Sequence, residues 1–187
     1  DYSFTGVILG ILFGLAAGVM AGIAHGAIVS NFNVPPFLIT LASQNIIYGI
    51  AQLLTGNQVI SCLEPAAFTL LGGGRLFGIP FSVCILVIVA LISFWLLNRT
   101  TFGRQVYAVG GNKEASNLSG VSSKRITTVS YAISGFTAAL AGIVLASMNQ
   151  QAIAKAAQGY ENDVLTAIVV GGTSLMGGEG SLQGAMF

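Results

Sequence analysis

The sequence predicts an all-α protein, a polytopic membrane helical bundle of about four full spans followed by a C-terminal, glycine-interrupted segment that is re-entrant or discontinuous. Three observations support this fold class. Only 7% of the 187 residues are charged and 54% are hydrophobic, whereas a soluble domain carries about 25% charged residues. Several apolar stretches reach the roughly 20 residues that a spanning helix needs. Finally, most of the basic residues lie between Arg99 and Arg125.

The first two spans are predicted in a stretch that carries no charge. Residues 2–63 contain no Asp, Glu, Lys or Arg, which is enough chain for two helices, and Pro35 and Pro36 separate them. We therefore place spans at residues 4–30 and 36–55. The first span has glycine at every fourth position, which predicts one small-residue face packed closely on another helix: Gly6, Gly10, Gly14, Gly18, Gly22 and Gly26.

Hydropathy also predicts the third and fourth spans and the C-terminal segment. Residues 56–78 form a polar, glycine-rich connection, and a third span is predicted at residues 79–98, with Trp95 near its end, where aromatic belts lie. A fourth span is predicted at residues 126–148. The part from residue 164 to 187 is apolar but broken by GGTS and GGEG. Such a backbone is tolerated at membrane depth only where protein or a cavity surrounds it.

The charge distribution predicts the orientation in the membrane. Residues 99–125 carry five Lys and Arg residues against the single acid Glu114, and basic residues concentrate in short cytoplasmic loops. We therefore place this segment in the cytoplasm. By alternation, residues 31–36 lie on the same side, and residues 56–78 and those after 148 lie outside. A net charge of +1 that is clustered in this way does not indicate binding to nucleic acid.

The sequence offers no candidate catalytic or metal-binding group. His25 is the only histidine, and we expect it to hydrogen-bond at a helix interface. Cys62 and Cys84 are expected to be packing residues, because two cysteines make no disulfide framework. The phosphate-binding pattern G-x-x-x-x-G-K-[ST] is absent.

A short helix is predicted inside the basic segment, at residues 112–118. Asn112 is a favourable N-cap, Glu114 lies in the first turn near the positive end of the helix, and Gly120 follows as a stop. Such an element between two spans suits the docking of a cytosolic partner. An ordinary solvated turn is an equally good interpretation of the pattern.

Four stretches of the chain resemble a known family in register. They are NRTTFGRQVYAVGGNKEASNLSGVSSKRI, VPPFLITLAS, GRLFGIP and GYENDVLTAIVVGGTSLMGGEGSLQGA. They are similar to the permeases of ribose/galactose/xylose-type ABC importers, within the sugar and branched-chain amino acid permease superfamily. The family has alanine where this chain has Ser116. Its members are longer, so residues 1–187 are expected to be part of one transmembrane domain whose first and last helices are missing.

The resemblance implies a division of labour in a bacterial inner membrane. Two permease copies, identical or different, would form the path for a monosaccharide. Two cytosolic ATPases would dock on residues 99–125, the cytoplasmic coupling loop, and would bind the ATP and Mg²⁺, so that this chain itself binds no cofactor and is not an enzyme. A periplasmic or lipid-anchored binding protein would deliver the sugar. Carried over by position, the coupling contact comprises Gly111, Asn112, Glu114, Ala115, Ser116 and Gly120.

Two further sets of residues are candidates for the transport path. One is a polar stripe on the second span, which could hydrogen-bond sugar hydroxyls or only neighbouring helices: Thr40, Ser43, Gln44, Tyr48 and Gln52. The other set, Tyr160, Glu161 and Asp163, lies at the outer mouth under the predicted orientation. A charged, hydrated loop without a specific role also fits this second set.

Three other functions compete with sugar import. A branched-chain amino acid permease keeps the superfamily and changes the cargo, although no charged partners for a zwitterion are evident in the path. A secondary transporter or channel would need intramembrane acids or bases to couple to ions, and the four predicted spans contain no Asp, Glu, Lys or Arg. A membrane scaffold without transport activity would not explain the four matches. The sequence does not identify the sugar.

Overall fold

The computed structural model describes residues 4–32, 35–62, 66–76, 78–174, 177–181 and 184–185. The regular structure within these ranges is helical except for four two-residue strands, which confirms the predicted fold class. The helices are α1 (Phe4–Asn31), α2 (Pro36–Thr55), α3 (Ala66–Gly73), α4 (Phe81–Arg99), α5 (Thr101–Gly111), α6 (Lys113–Leu118), α7 (Ser123–Asn149) and α8 (Tyr160–Val170). The strands are β1 (Ile60–Ser61), β2 (Arg75–Leu76), β3 (Ile79–Pro80) and β4 (Gln151–Ala152).

Four helices of the described residues are long and apolar enough to cross a membrane, as the sequence predicts. They are α1, α2, α4 and α7, and their ends fall within three residues of the predicted spans. The boundaries have local causes. Two prolines start α2, and the N–H of Gly56, at a φ of +59°, bonds back to the last turn and ends it. The hydroxyl of Ser122 caps the start of α7.

The closest helix pair is α1 with α7, which run antiparallel. A Cβ on Gly22 would lie 2.3 Å from the carbonyl oxygen of Tyr131, and one on Gly26 would lie 2.6 Å from the Cα of Thr128. Gly18 faces Gly135 in the same way, whereas Gly10 faces open space. The predicted glycine face is therefore a contact face over its central and C-terminal part, where backbone meets backbone.

Contacts between distant segments fix which helix ends lie on the same side. Lys124 Nζ donates to Asn31 Oδ1 at 2.9 Å, so the end of α1 and the start of α7 are neighbours. At the other side, β1 and β4 pair antiparallel, with Ile60 opposite Ala152. The ends of α2 and α7 are therefore neighbours too. Both contacts agree with the predicted alternation of the spans.

The predicted connections contain more regular structure than expected. The polar stretch 56–78 includes β1, α3 and β2, and β2 pairs with β3 just beyond the stretch. Helix α3 packs on the end of α7, where the hydroxyl of Ser147 donates to the carbonyl of Phe68 and accepts the N–H of Gly72. The basic stretch 99–125 contains α5 as well as α6. Helices α3 and α5 are not predicted from the sequence because short helices that contain glycine give no clear hydropathy signal.

The described residues bury few apolar side chains. Ile126 is the only large apolar residue among them that is buried, whereas Leu53 and Leu54 are more than 80% exposed. In water such a surface would cause aggregation. In a bilayer, the same side chains contact lipid tails or further helices.

Candidate functional site

Residues 99–125, the segment predicted to be the coupling loop, make a sharp turn after α4. Thr100 has an extended backbone, and its side-chain oxygen accepts the N–H of Gly103 to start α5. A Cβ on Gly103 would lie 2.0 Å from the carbonyl oxygen of Leu97. Only glycine lets α5 turn back so closely on α4. Helix α5 is amphipathic, with residues 102, 106 and 109 on its more buried side.

Helix α6 has the capping pattern that the sequence predicts. The side-chain oxygen of Asn112 accepts the N–H of Ala115 at 2.9 Å. At the other end, Gly120 has a φ of +84°, and its N–H bonds to the carbonyl of Asn117 at 3.1 Å. Glu114 lies in the first turn, where a negative charge favours the helix. The predicted helix over residues 112–118, with Asn112 as its cap, is confirmed.

Helix α6 is fixed on one face and open on the other. Ser116 is buried, and its hydroxyl donates to the carbonyl of Asn112, so this residue supports the helix from inside. The side chain of Asn117 accepts the N–H of Ser123, the first residue of α7, at 2.9 Å. This bond joins α6 to the start of α7.

The open face of α6 combines charge with an apolar side chain. Glu114 and Ala115 are exposed, and Leu118 is 90% exposed. The six residues carried over as the coupling contact thus divide into two groups. Glu114, Ala115, Gly111 and Gly120 are open to a partner, whereas Asn112 and Ser116 use their side chains to hold α6 together.

The end of α5 touches the glycine-rich segment that follows α8. The hydroxyl of Tyr107 donates to the carbonyl of Gly180 at 3.0 Å. A Cβ on Gly110 would lie 2.5 Å from the backbone nitrogen of Gly178, and one on Gly178 would lie 2.8 Å from the Cα of Gly111. We call this contact, between residues 107–111 and 177–180, the glycine seam. It joins the coupling loop to the C-terminal part of the chain.

Four of the five candidate path residues share one cavity. Thr40, Ser43, Gln44 and Tyr48 line a volume of about 310 Å³ beside α2, together with His25 of α1. Gln52 lies elsewhere. It lines a different cavity near the end of α2, and its amide donates to Asn57 Oδ1 at 3.3 Å. The predicted stripe is thus divided between two places.

Glu161, in the first turn of α8, bonds to Gln44, which lines this cavity. Its Oε1 accepts the amide of Gln44 at 2.9 Å, and its Oε2 accepts the N–H of Gly159 at 2.9 Å. Gln44 is the ninth residue of α2, about 12 Å along the helix. The carboxylate therefore lies beside the middle of a span, although no acid belongs to the spans themselves. Tyr160 and Asp163 are exposed, and the role of all three at an outer mouth stays a prediction.

Sequence reasoning gave no site role to three residues that the structure makes prominent. His25 bonds to Ser43 in the shared cavity, Tyr107 anchors the glycine seam, and Leu118 projects from α6. The apolar spacing of residues 102, 106 and 109 could have revealed α5 and with it Tyr107. Within the described ranges, no three His, Cys, Asp or Glu side chains come together in a way that could hold a metal ion.

The chain is similar in sequence to known transport permeases. A family model described as "Branched-chain amino acid transport system / permease component" matches residues 2–187. The ribose import permease protein RbsC of Bacillus subtilis is 38% identical over 180 residues, which are 96% of this chain and 56% of that protein. RbsC of Haemophilus influenzae is 38% identical over 164 residues, 86% of this chain and 51% of that protein.

A third relative is named for a different sugar. The L-arabinose transport system permease protein AraH of Escherichia coli is 36% identical over 159 residues, 85% of this chain and 48% of that protein. The chain thus spans about half the length of the curated relatives that it matches. No solved structure matches it. The match of the family model to nearly every residue shows that the chain belongs to the sugar and branched-chain amino acid permease family, as a multi-pass membrane protein.

Proposed function

We propose that the protein containing this chain is the permease subunit of an ATP-binding-cassette importer that carries a ribose-like monosaccharide across the bacterial cytoplasmic membrane. The proposal takes its cargo class from relatives whose printed names specify ribose and arabinose. One structural observation carries the mechanism. A capped helix, α6, stands between two spans on the basic side of the chain and exposes Glu114 and Leu118.

The cytosolic ATPase subunits dock on that exposed face. Leu118 is an apolar side chain that water would not favour at 90% exposure, so it suits a pocket on a partner. Glu114 adds a charge that fixes the orientation of the contact. The permease contributes no catalytic group. ATP and Mg²⁺ belong to the partner, and no nucleic acid takes part.

The glycine seam carries motion from the docking helix into the membrane. The seam ties the end of α5 to residues 177–180, and α8 lies just before that segment. At the other end of α8, Glu161 in the first turn bonds to Gln44 of α2. Closure of the ATPases would therefore move α8 relative to α2, which is the kind of small element shift that switches a transporter between two states.

The remaining partners follow from the orientation. A soluble or lipid-anchored sugar-binding protein meets the side on which β1 and β4 pair. A second permease copy, the rest of the permease domain and membrane lipid cover the exposed apolar faces of the spans. The chain occupies the inner membrane with residues 99–125 in the cytoplasm.

The proposal is tested by hydrolysis of ATP in the assembled transporter. The full-length permease would be reconstituted in nanodiscs with its neighbouring ATPase and candidate binding proteins. D-Ribose, D-galactose, D-xylose, L-arabinose and L-leucine would then be added one at a time. We expect a single sugar, with its binding protein, to stimulate hydrolysis. Stimulation by L-leucine alone would assign the cargo to the branched-chain amino acids, and no stimulation by any compound would contradict the proposal.

A further inference from the structure

Two neighbouring cavities beside α1 and α2 share a polar boundary. Each has a volume of about 310 Å³, and His25 and Thr40 line both. One cavity is otherwise lined by α2, with Ile47 and Tyr48 as its large side chains. The other extends along the small residues of the α1–α7 contact. A volume of this size lies at the lower end of the range of about 300–1,000 Å³ found for small-molecule sites.

His25 presents a hydrogen-bonding atom to this boundary. It is the only ionisable side chain in α1. The hydroxyl of Ser43 donates its proton to the carbonyl of Thr40 at 2.9 Å, so the bond between His25 Nε2 and Ser43 Oγ has the imidazole as its donor. The neutral ring then keeps Nδ1 as an acceptor, for which the described part of the chain supplies no partner.

Glu161 adds acceptor capacity from a third segment. One carboxylate oxygen accepts from Gln44 and the other from the N–H of Gly159. Each oxygen retains a second lone pair. Among the described residues, no Lys or Arg side chain is paired with this carboxylate. An acid beside the middle of a span needs hydrogen-bond donors, and its presence there points to function.

We propose that His25, Gln44 and Glu161 form a monosaccharide subsite on the transport path inside the membrane. The free acceptors of Glu161 and His25 bind sugar hydroxyls, which are donors. Tyr48 offers an aromatic ring to the C–H face of the sugar. The ligand class is a neutral polyol, because the site presents acceptors and one aromatic face but no cationic group for a carboxylate. The inference rests on the proposed function and adds His25 and Glu161 to the path.

The position of Glu161 links sugar contact to the ATPase. Glu161 stands in the first turn of α8, and the segment after α8 meets the coupling loop at the glycine seam. A shift of α8 therefore makes or breaks the contact between Glu161 and the sugar. The affinity of such a site must be low, because a path site has to release what it binds.

The test compares uptake of several sugars by the full-length permease, reconstituted in liposomes with its ATPase and binding protein. The variants are Glu161→Gln and His25→Asn. The control is Asn45→Ala, because Asn45 neighbours Gln44 but is exposed, and its amide bonds to Leu41 of its own helix. Uptake of the preferred sugar and of its epimers is measured together with basal ATP hydrolysis and assembly by size exclusion.

The expected result is a change of selectivity. We expect Glu161→Gln to lower uptake of the preferred sugar roughly tenfold or more, since hydrogen bonds to charged groups are the strong ones. Both variants should change the ratio of rates between epimers by about threefold or more, whereas Asn45→Ala should equal wild type. A purely structural role would lower all rates in the same proportion.

Unchanged epimer ratios in both variants would overturn the subsite, whatever the absolute rates. Because His25 and Glu161 belong to different helices, failure of one variant to assemble leaves the other to decide. Failure of the proposed function is distinguishable, since wild-type protein would then import none of the sugars. Wild-type import with unchanged ratios in the variants rejects the subsite alone.

Discussion

The hydroxyl of Tyr107 donates a hydrogen bond of 3.0 Å to the carbonyl of Gly180, across 73 residues of chain. This bond lies at the edge of the glycine seam, where the backbone of residues 110–111 meets that of residues 177–178. One side of the seam belongs to the coupling loop and the other follows α8. The seam thus connects the segment that contains the proposed ATPase contact to the part of the chain that includes α8, whose Glu161 bonds to Gln44.

The first prediction concerns coupling through this bond. Tyr107→Phe removes the hydroxyl and keeps the ring, so the fold should remain. We expect the number of sugar molecules imported per ATP hydrolysed to fall about three- to tenfold, the loss expected for one hydrogen bond. Uptake and phosphate release would be measured on the same liposomes. Ala108→Ser, exposed on the same helix, is the control, and an unchanged ratio for Tyr107→Phe would rule out the bond as a link.

Two adjacent glycines provide a matched pair for the seam itself. A Cβ on Gly110 would lie 2.5 Å from the backbone of Gly178, whereas a Cβ on Gly111 would meet nothing within 4 Å. Gly110→Ala should therefore destabilise the protein by about 1–3 kcal/mol, the usual cost of overpacking. Gly111→Ala should leave the stability of the protein unchanged. Thermal unfolding of the purified full-length variants would decide, and equal melting temperatures would contradict the close contact.

A second glycine pair tests the α1–α7 interface. Gly22→Ala places a methyl group 2.3 Å from the carbonyl oxygen of Tyr131, whereas Gly10→Ala points into open space. We expect Gly22→Ala to lower stability by about 1–3 kcal/mol through forced separation of the helices. Gly10→Ala should be neutral or slightly stabilising, because alanine favours a helix. Denaturation in a mild detergent would measure both, and a neutral Gly22→Ala would show that the helices lie further apart.

Charge reversal on α6 tests the docking face. Glu114 is exposed in the first turn of α6, where its negative charge favours the helix. Glu114→Lys should reduce uptake roughly tenfold or more, because a wrong charge at an interface costs several kcal/mol, while membrane insertion stays intact. Glu114→Gln should have a smaller effect. Normal sugar uptake by Glu114→Lys would remove Glu114 from the coupling contact.

The orientation is testable with single cysteines. In a background with Cys62 and Cys84 changed to serine, Leu118→Cys and Asn57→Cys place thiols at two exposed positions. A membrane-impermeant maleimide added to intact cells should reach residue 57 and should reach residue 118 only after the membrane is opened. Labelling of both residues from one side would contradict the predicted alternation of spans.

The spans and α6 could be predicted because their signals are local. Hydropathy and prolines define α1 and α2, and the side chain of Asn112 accepts the N–H of Ala115 to cap α6, as its residue type suggests. The loop helix α5 was missed because its glycines and Arg104 lower its hydropathy. Contacts such as Gln44 with Glu161 join residues 117 positions apart. No spacing pattern in the sequence encodes that pairing, which arises only when the start of α8 comes close to the middle of α2.

The predicted spans contain no acid, which disfavours ion coupling, but Glu161 places a carboxylate beside one of them. The residue lies outside the spans in sequence but beside α2 in space. The case for import driven by ATP therefore depends on the family match and on α6. A measurement that removes ATP but keeps ion gradients is consequently decisive.

That measurement is uptake of D-ribose and its epimers into liposomes that hold the full-length permease and its ATPase. The binding protein, ATP and a proton or sodium gradient would each be added or omitted. The account predicts accumulation of one sugar that requires both ATP and the binding protein and ignores the gradients. Accumulation that follows an ion gradient without ATP would contradict it and would identify a secondary transporter.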